Sequence, residues 1–429
     1  MSKDKGASVV YTVEDTYKGI VISGQIKYSN DKVHFIISHQ LGDLFGYKFF
    51  VHSILFFPNK YSGVSGIRIE CDELDYIYDT RKSIVSEKSS FNNGAIKLEL
   101  HDTMTNISEE KQFTYRGISV KYSFSIYRKA QYTDINYPVK LNSVFSLFFD
   151  ETNDYTWIYE VFWIAFQFIR YLCYRQNIQL SEAKLLFGPD KEGLYSHGGK
   201  IIIDKRFLMD YIEKESVAQK KYIEYEPAKN VIHKILQLIA DDNIYLLHIP
   251  HSSEDRRYIS PSRILLICAA FEWEYKQAYG ESTNQERIVL SQEVIQLLNS
   301  NFTELTGKKK SLYKGYVKSS EKFFKDKPLS SKIITALNDF DDILFPHIRN
   351  HIISIDDRKS KNRKIYNQIG HNIESIRNKY AHGEINRDVN KGAAFDTRAI
   401  EWLVYCMQLK RAGLPSCDIA KIIEKLFQL

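Results

Sequence analysis

The chain has 429 residues, more than one ordinary core can organise and enough for two or three domains. It is 44% hydrophobic, 14% aromatic and 26% charged, which excludes a disordered chain, while 20 glycines and 9 prolines exclude collagen-like or low-complexity architecture. Lysine and arginine number 59 against 53 acidic residues, a surplus of +6 that matters only where it is concentrated.

Residues 1–19 mix Lys3, Asp4, Lys5, Glu14 and Asp15 and lack the apolar centre of a signal peptide. Residues 155–174 are rich in Trp157, Phe162, Trp163 and Phe168, but Glu160, Gln167 and Arg170 interrupt them. That pattern predicts a buried helix and no membrane span. The five cysteines (Cys71, Cys173, Cys268, Cys406, Cys417) are scattered and never form a C-x-x-C pair, so neither a disulfide framework nor a thiolate zinc site is expected. The expectation is a reduced, cytoplasmic, soluble protein.

The fold class expected is α+β: a β-rich domain over 1–145, an antiparallel sandwich or barrel, then a mixed α/β connection over 146–254, then an all-α bundle over 255–429. In the first part, β-rich runs fall at 17–28, 33–38, 49–57, 64–70, 95–101 and 113–128, with turn clusters such as Asn92-Asn93-Gly94 between them. The last run is the clearest: Ile118, Val120, Tyr122, Phe124 and Ile126 alternate with Ser119, Lys121, Ser123 and Ser125, the period of a strand with one buried face. No G-x-G-x-x-G or P-loop sequence is present, so a nucleotide-binding α/β fold has no support there.

In the connection, 155–175, 205–226 and 229–241 have helical character, and 185–203 reads as a hairpin turning at Gly188-Pro189-Asp190 and His197-Gly198-Gly199. The charged stretch at 254–261 is a plausible boundary. From Ser262 onward, Ile264, Ile267, Cys268 and Phe271 recur at helical spacing up to Gly280. Further helices are predicted over 291–305, 309–324, 329–353, 361–385 and 397–429, joined by short links as in a bundle.

The positive charge gathers in this second half. Between Lys308 and Lys327 there are eight lysines against Glu321 and Asp326, a local excess equal to that of the whole chain. Lys310, Lys314, Lys318 and Lys322 are four apart and form one stripe on a helix, where like charges cost a few tenths of a kcal/mol per pair. Arg358, Lys359, Lys361, Arg363 and Lys364 add five basic residues without an acid. Such patches are the electrostatic footprint of phosphate-backbone binding, and the bland alternative is a solvated lysine face.

After the second basic run comes Ile365-Tyr-Asn-Gln-Ile-Gly-His-Asn-Ile-Glu-Ser-Ile-Arg377-Asn378-Lys-Tyr-Ala-His382-Gly383. Ile369, Ile373, Ile376 and Tyr380 form a core stripe, and His371, Glu374, Asn378 and His382 form a polar one. Arg377-Asn378-Lys379-Tyr380-Ala381-His382 resembles the R-N-x-x-x-H signature of the HEPN superfamily, helical-bundle proteins many of which are metal-independent ribonucleases. The bundle length, the late position of the motif and the long β-rich first half resemble the ApeA-like branch, linked to abortive anti-phage defence. The resemblance covers 262–429 by motif and the rest only by layout.

It implies an endoribonuclease without a cofactor, acting on RNA as a homodimer, with the β-rich half as a sensor or restraint and a phage product as its trigger. Catalytic candidates are Arg377, Asn378 and His382. RNA-binding candidates are Lys310, Lys314, Lys318, Lys322, Arg358, Lys361, Arg363 and Lys364. Histidine titrates near neutrality, so His382 can move a proton; the Arg377 fork suits a phosphate gaining charge; Asn378 can orient either. Residues five apart on a helix point about 140° apart, so a site of this kind is expected to need two chains. The resemblance also implies an acid on the first bundle helix, which Glu272 supplies; a local pair with Lys276 is the alternative. Attack by an RNA 2′-OH would leave a 2′,3′-cyclic phosphate, a route closed to DNA.

No metal site is expected. His347-x-x-x-His351 lacks further ligands in sequence, and His248-Ile-Pro-His251 reads as a loop. Two other functions stay open: a non-catalytic RNA- or nucleotide-binding bundle, and an interaction protein docking through the aromatic first half.

Overall fold

The computed structural model describes residues 12–16, 19–25, 31–43, 46–87, 97–100, 107–130, 139–203, 221–280, 285–300, 306–325, 327–351, 362–383, 389 and 391–429. Their strands are β1 (Thr12–Thr16), β2 (Gly19–Gln25), β3 (Lys32–Asp43), β4 (Gly46–Phe57), β5 (Val64–Glu70), β6 (Ile84–Glu87), β7 (Lys97–Leu100), β8 (Lys111–Tyr115), β9 (Ile118–Ala130), β10 (Val139–Thr152), β11 (Glu182–Phe187) and β12 (Ser196–Ile203). Ten of them form one antiparallel sheet in the order β1-β2-β3-β4-β12-β11-β5-β10-β9-β8, and β6 and β7 form a separate ribbon. β10 runs across position 145, and the β11–β12 hairpin fills the middle of the sheet between β4 and β5.

The α+β class stands, but the expected sandwich or barrel does not. The described strands make a single open sheet, with β1 and β8 at its edges. The cover that a second sheet would supply comes from helix α2 (Tyr155–Cys173); the short α1 (Asp72–Ile77) precedes it. Asp154 caps α2 by accepting a hydrogen bond from the Trp157 amide at 2.9 Å, and left-handed Tyr174 ends it. Phe168 meets Phe145 of β10 with ring centroids 5.6 Å apart, Trp157 packs edge-on to Phe149, and Tyr155 stacks on His34 of β3. A helix buried on most of its circumference reads as apolar all round, which is why its sequence resembles a membrane span. No helix among the described residues is long and apolar enough to cross a membrane.

The residues that interrupt α2 have specific partners. Glu160 is fully buried, and the guanidinium of Arg116 grips it with two contacts of 2.9 Å while the Tyr115 hydroxyl donates to it at 3.0 Å. Arg116 and Gly117 both have positive φ, the geometry of a two-residue hairpin turn, so the tip of β8–β9 is clamped onto the helix. Arg170 lies over the Phe166 ring at 4.1 Å and donates to the Gln176 carbonyl.

On β9 the alternation holds for Val120, Tyr122, Phe124 and Ile126, all buried, whereas Ile118 is exposed because it follows directly on that turn. Gly198 and Gly199, expected at a turn, lie inside β12; a Cβ on Gly199 would stand 2.5 Å from the Phe56 carbonyl of the neighbouring strand, so this glycine permits close pairing. The turn is made by 188–195, where the Asp190 carboxylate accepts from the amides of Glu192 and Leu194.

Among the described residues two helices follow the sheet, α3 (Tyr225–Ala228) and α4 (Ile232–Ala240), the second packed beside α2. Most of the helix expected over 205–226 lies outside the described residues. Among its described residues the helical region then has α5 (Pro261–Tyr279), α6 (Gln285–Ser300), α7 (Gly307–Lys325), α8 (Leu329–Asp339), α9 (Asp341–His351), α10 (Asn362–Ala381), α11 (Lys391–Arg411) and α12 (Ser416–Phe427). Two stretches expected to be continuous are each broken: Phe340 leaves helical geometry between α8 and α9, and Gly413 with Pro415 separates α11 from α12.

The sheet half and the helical half share one hydrophobic core. At their junction Tyr171 of α2 stacks on Tyr405 of α11 with centroids 4.8 Å apart. Glu401 of α11 accepts from the Tyr174 hydroxyl and from the Arg263 guanidinium, joining α2, α5 and α11.

Helix α10 crosses α8 at Gly370, where an added Cβ would lie 2.9 Å from the Ser330 carbonyl oxygen. In an exposed helix Gly→Ala gains up to about 1 kcal/mol. Here Gly370→Ala is expected to destabilise instead, by about 1–3 kcal/mol of overpacking, as urea unfolding would measure.

Candidate functional site

Helix α5 starts where Ser260 accepts a hydrogen bond from the Arg263 amide at 3.3 Å, with Pro261 in the first turn, and it stops at Gly280. Ile264, Ile267, Cys268 and Phe271 face the core as their spacing predicts. Glu272 follows at the edge of that face, half-buried. Helix α10 turns Ile369, Ile373 and Tyr380 inward, and Arg377 comes to the edge between them and solvent.

The two helices bring Glu272 and Arg377 together: Arg377 Nη2 stands 3.5 Å from Glu272 Oε2, with the side chains 39% and 36% exposed. Arg377 Nη1 also donates to Asn378 Oδ1 at 3.2 Å. The pair is therefore weakly held and open to solvent, worth at most about 1 kcal/mol to the fold. Beneath it lies Cys268, whose thiol burial pushes up to about 12, with the Glu272 charge adding to the effect. That thiol stays protonated and serves as packing.

His382 is exposed at the end of α10, its amide donating to the Asn378 carbonyl at 3.1 Å, and Gly383 closes the helix with φ +87°. Asn378 is exposed as well. The rest of the polar stripe does other work. Glu374 accepts from the Leu329 amide at 3.1 Å and caps the start of α8. Lys276, the local alternative partner for Glu272, is exposed on the same helix.

Of the basic candidates, Lys310, Lys314 and Lys318 are exposed along α7. Lys308, Lys309 and Lys310 occupy its first turn, where the helix dipole favours anions, so the cost of the stripe is greater than spacing alone implied. Among the described helices, α6 and α7 pack chiefly against each other, and Leu312 and Tyr316 stand exposed between the lysines. Lys322 lies on α7 and Arg363 on α10, while Arg358 and Lys361 lie outside the described residues. Lys364 is exposed near the start of α10, about 20 Å along the helix from Arg377 and on a different face, so these two are not brought together.

His347 Nε2 lies 3.8 Å from Glu424 Oε1, and His248 is buried with its pKa lowered by desolvation to about 4. No group of three or more histidine, cysteine, aspartate or glutamate side chains gathers among the described residues in a way that could hold a metal ion.

Sequence reading missed the buried charges around this region. Glu274, two positions from Glu272, is fully buried and accepts from the Tyr245 amide, Gln408 and Arg411. The signal was present: Glu274 falls inside the apolar stripe between Phe271 and Tyr275. Arg256 and Arg257 are far in sequence from Arg398, yet all three line a common cleft beside Glu401. No protein-family model matches the chain, and no curated protein or solved structure matches it either.

Proposed function

We propose that the chain is a metal-independent endoribonuclease of the HEPN kind, its helical half cutting RNA and its sheet half governing when it does so. The observation that carries this reading is the meeting of Glu272 and Arg377 across α5 and α10, with Asn378 on the same guanidinium and His382 exposed one turn further on. In this reading His382 takes or returns the proton at the 2′-OH or the leaving oxygen. Arg377 meets the charge that grows on the phosphate, and Glu272 holds the guanidinium until substrate replaces it. Since Arg377 and His382 point about 140° apart, a second copy related by two-fold symmetry completes the site. An RNA cut at one linkage is expected to resist when that nucleotide carries 2′-deoxyribose; cleavage of the substituted strand would refute the mechanism.

The exposed lysines of α7 supply the approach for RNA. Changing Lys310, Lys314 and Lys318 together to glutamate is expected to weaken RNA binding and flatten its salt dependence by roughly 2 in log–log slope, from about 0.7 per phosphate contact. Fluorescence anisotropy over a salt series measures this. Growth arrest on activation follows from cutting host RNA, and a phage product acting on the sheet half is the proposed trigger.

One observation favours a second reading, a bundle that binds RNA or nucleotide without cutting it. The Arg377 fork is already engaged by Glu272 and Asn378, as suits a surface contact. In that case His382→Ala would leave every RNA-dependent property unchanged.

A further inference from the structure

Away from the Glu272–Arg377 pair, the loop at 252–257 and helices α11 and α12 enclose a cleft of about 240 Å³. Its lining includes Lys221, Arg256, Arg257 and Arg398, with Phe395 and Trp402 as an apolar wall. Among the described lining residues the one acidic side chain is Glu401, which Arg263 and the Tyr174 hydroxyl already engage. Among the described residues Arg256, Arg257 and Arg398 thus gather beside one engaged carboxylate; a terminal carboxylate at Leu429, on the rim, would subtract one charge.

Arg256 is the centre of the argument. Its guanidinium lies 5.0 Å from the ring centroids of both Tyr174 and Phe427, and Nη2 donates to the Leu426 carbonyl at 2.7 Å. Nη1 is buried and has no hydrogen-bond partner among the described residues. Desolvation by burial lowers the pKa of this group, and the nearby Glu401 charge acts in the opposite direction. A buried cation with an unused donor at the wall of a cleft favours an anion there. Arg398 is fixed nearby by donating to the Arg257 carbonyl at 2.8 Å, and planar guanidinium forks match phosphate oxygens in pairs. Phe395, half-buried and edge-on to Trp402, offers a ring face suited to a base. The volume falls a little below the usual ~300–1,000 Å³ of small-molecule sites, which suits a phosphate with one ring system.

We propose that this cleft binds a mononucleotide, its phosphate on Arg256, Arg257 and Arg398 and its base against Phe395. The proposal stands whether or not the bundle cuts RNA, because its test reads binding. Isothermal titration of the full chain with AMP, inorganic phosphate and a short single-stranded RNA, each alone, decides it. AMP is expected to bind at one site more tightly than phosphate. Arg398→Glu, at a partly exposed position, should weaken AMP at least about tenfold, and Phe395→Ala should weaken AMP but not phosphate. Thermal melting checks that each variant is folded, and Arg398→Lys serves as a second variant with an intermediate loss. Phosphate binding as tightly as AMP would overturn the base contact. Binding of RNA without AMP, binding of nothing, or AMP binding indifferent to both substitutions would overturn the site.

Discussion

Replacing His382 with alanine is expected to lower RNA cleavage by about 10²- to 10⁴-fold, the usual contribution of a positioned proton-transfer group. The folded state should be untouched, because His382 is exposed just past the end of α10. Its amide bond to the Asn378 carbonyl belongs to the backbone and survives the change. Single-turnover kinetics with enzyme in excess over RNA and above the binding constant isolates the chemical step, and urea unfolding of the same variant reads stability. A loss of activity with unchanged stability and RNA affinity assigns His382 to proton transfer. Equal cleavage by both proteins would remove His382 from the mechanism, whereas a folded protein that binds RNA without cutting it would be better read as a binding module.

The largest stability effect is expected at the neighbouring acid. Glu274 lies two positions from Glu272, about 200° around α5, so the two carboxylates face opposite environments. Glu272 meets Arg377 in solvent, whereas Glu274 is fully buried and gathers Arg411, Gln408 at 3.0 Å and the Tyr245 amide at 3.1 Å. Arg411 also donates to the Asn243 carbonyl at 2.9 Å, so the cluster ties the segment after α4 to α5 and α11. Glu274→Ala would leave the Arg411 charge buried without its counter-charge, at a cost of about 3–5 kcal/mol. Glu274→Gln keeps acceptor capacity for the Tyr245 amide and should cost less. Glu272→Ala, on the exposed pair, should change stability by under about 1 kcal/mol. Denaturant unfolding of the three variants measures the ranking, and a Glu272 effect as large as that of Glu274 would contradict the burial argument.

These two glutamates also show what could be read before the structure. The period-two run at 118–126 and the 3.6-period stripes of α5 and α10 are local patterns, and each points to the face that is buried. What covers a face is not local. Strand alternation in the first half is equally consistent with a second sheet or a helix, and the cover proved to be α2, whose apolar circumference is unusual for a helix outside a membrane. The Gly198-Gly199 pair read as a turn because glycine signals both turns and close approach, and only the position of Phe56 on the next strand distinguishes them. At the candidate site, Arg377, Asn378 and His382 were legible as a motif on one helix. The meeting of Glu272 with Arg377 depends on how α5 and α10 cross, which spacing along either helix does not contain. The cleft around Arg256 draws on residues from 221 to 429, so no window of sequence holds it.

Incubation of the purified full chain with total RNA in excess EDTA, followed by mapping of the fragment ends, tests the central claim most directly. Cleavage is expected to persist in EDTA and to leave 2′,3′-cyclic phosphate and 5′-OH ends. Fragments carrying 3′-OH and 5′-phosphate ends, or cleavage that EDTA abolishes, would contradict it.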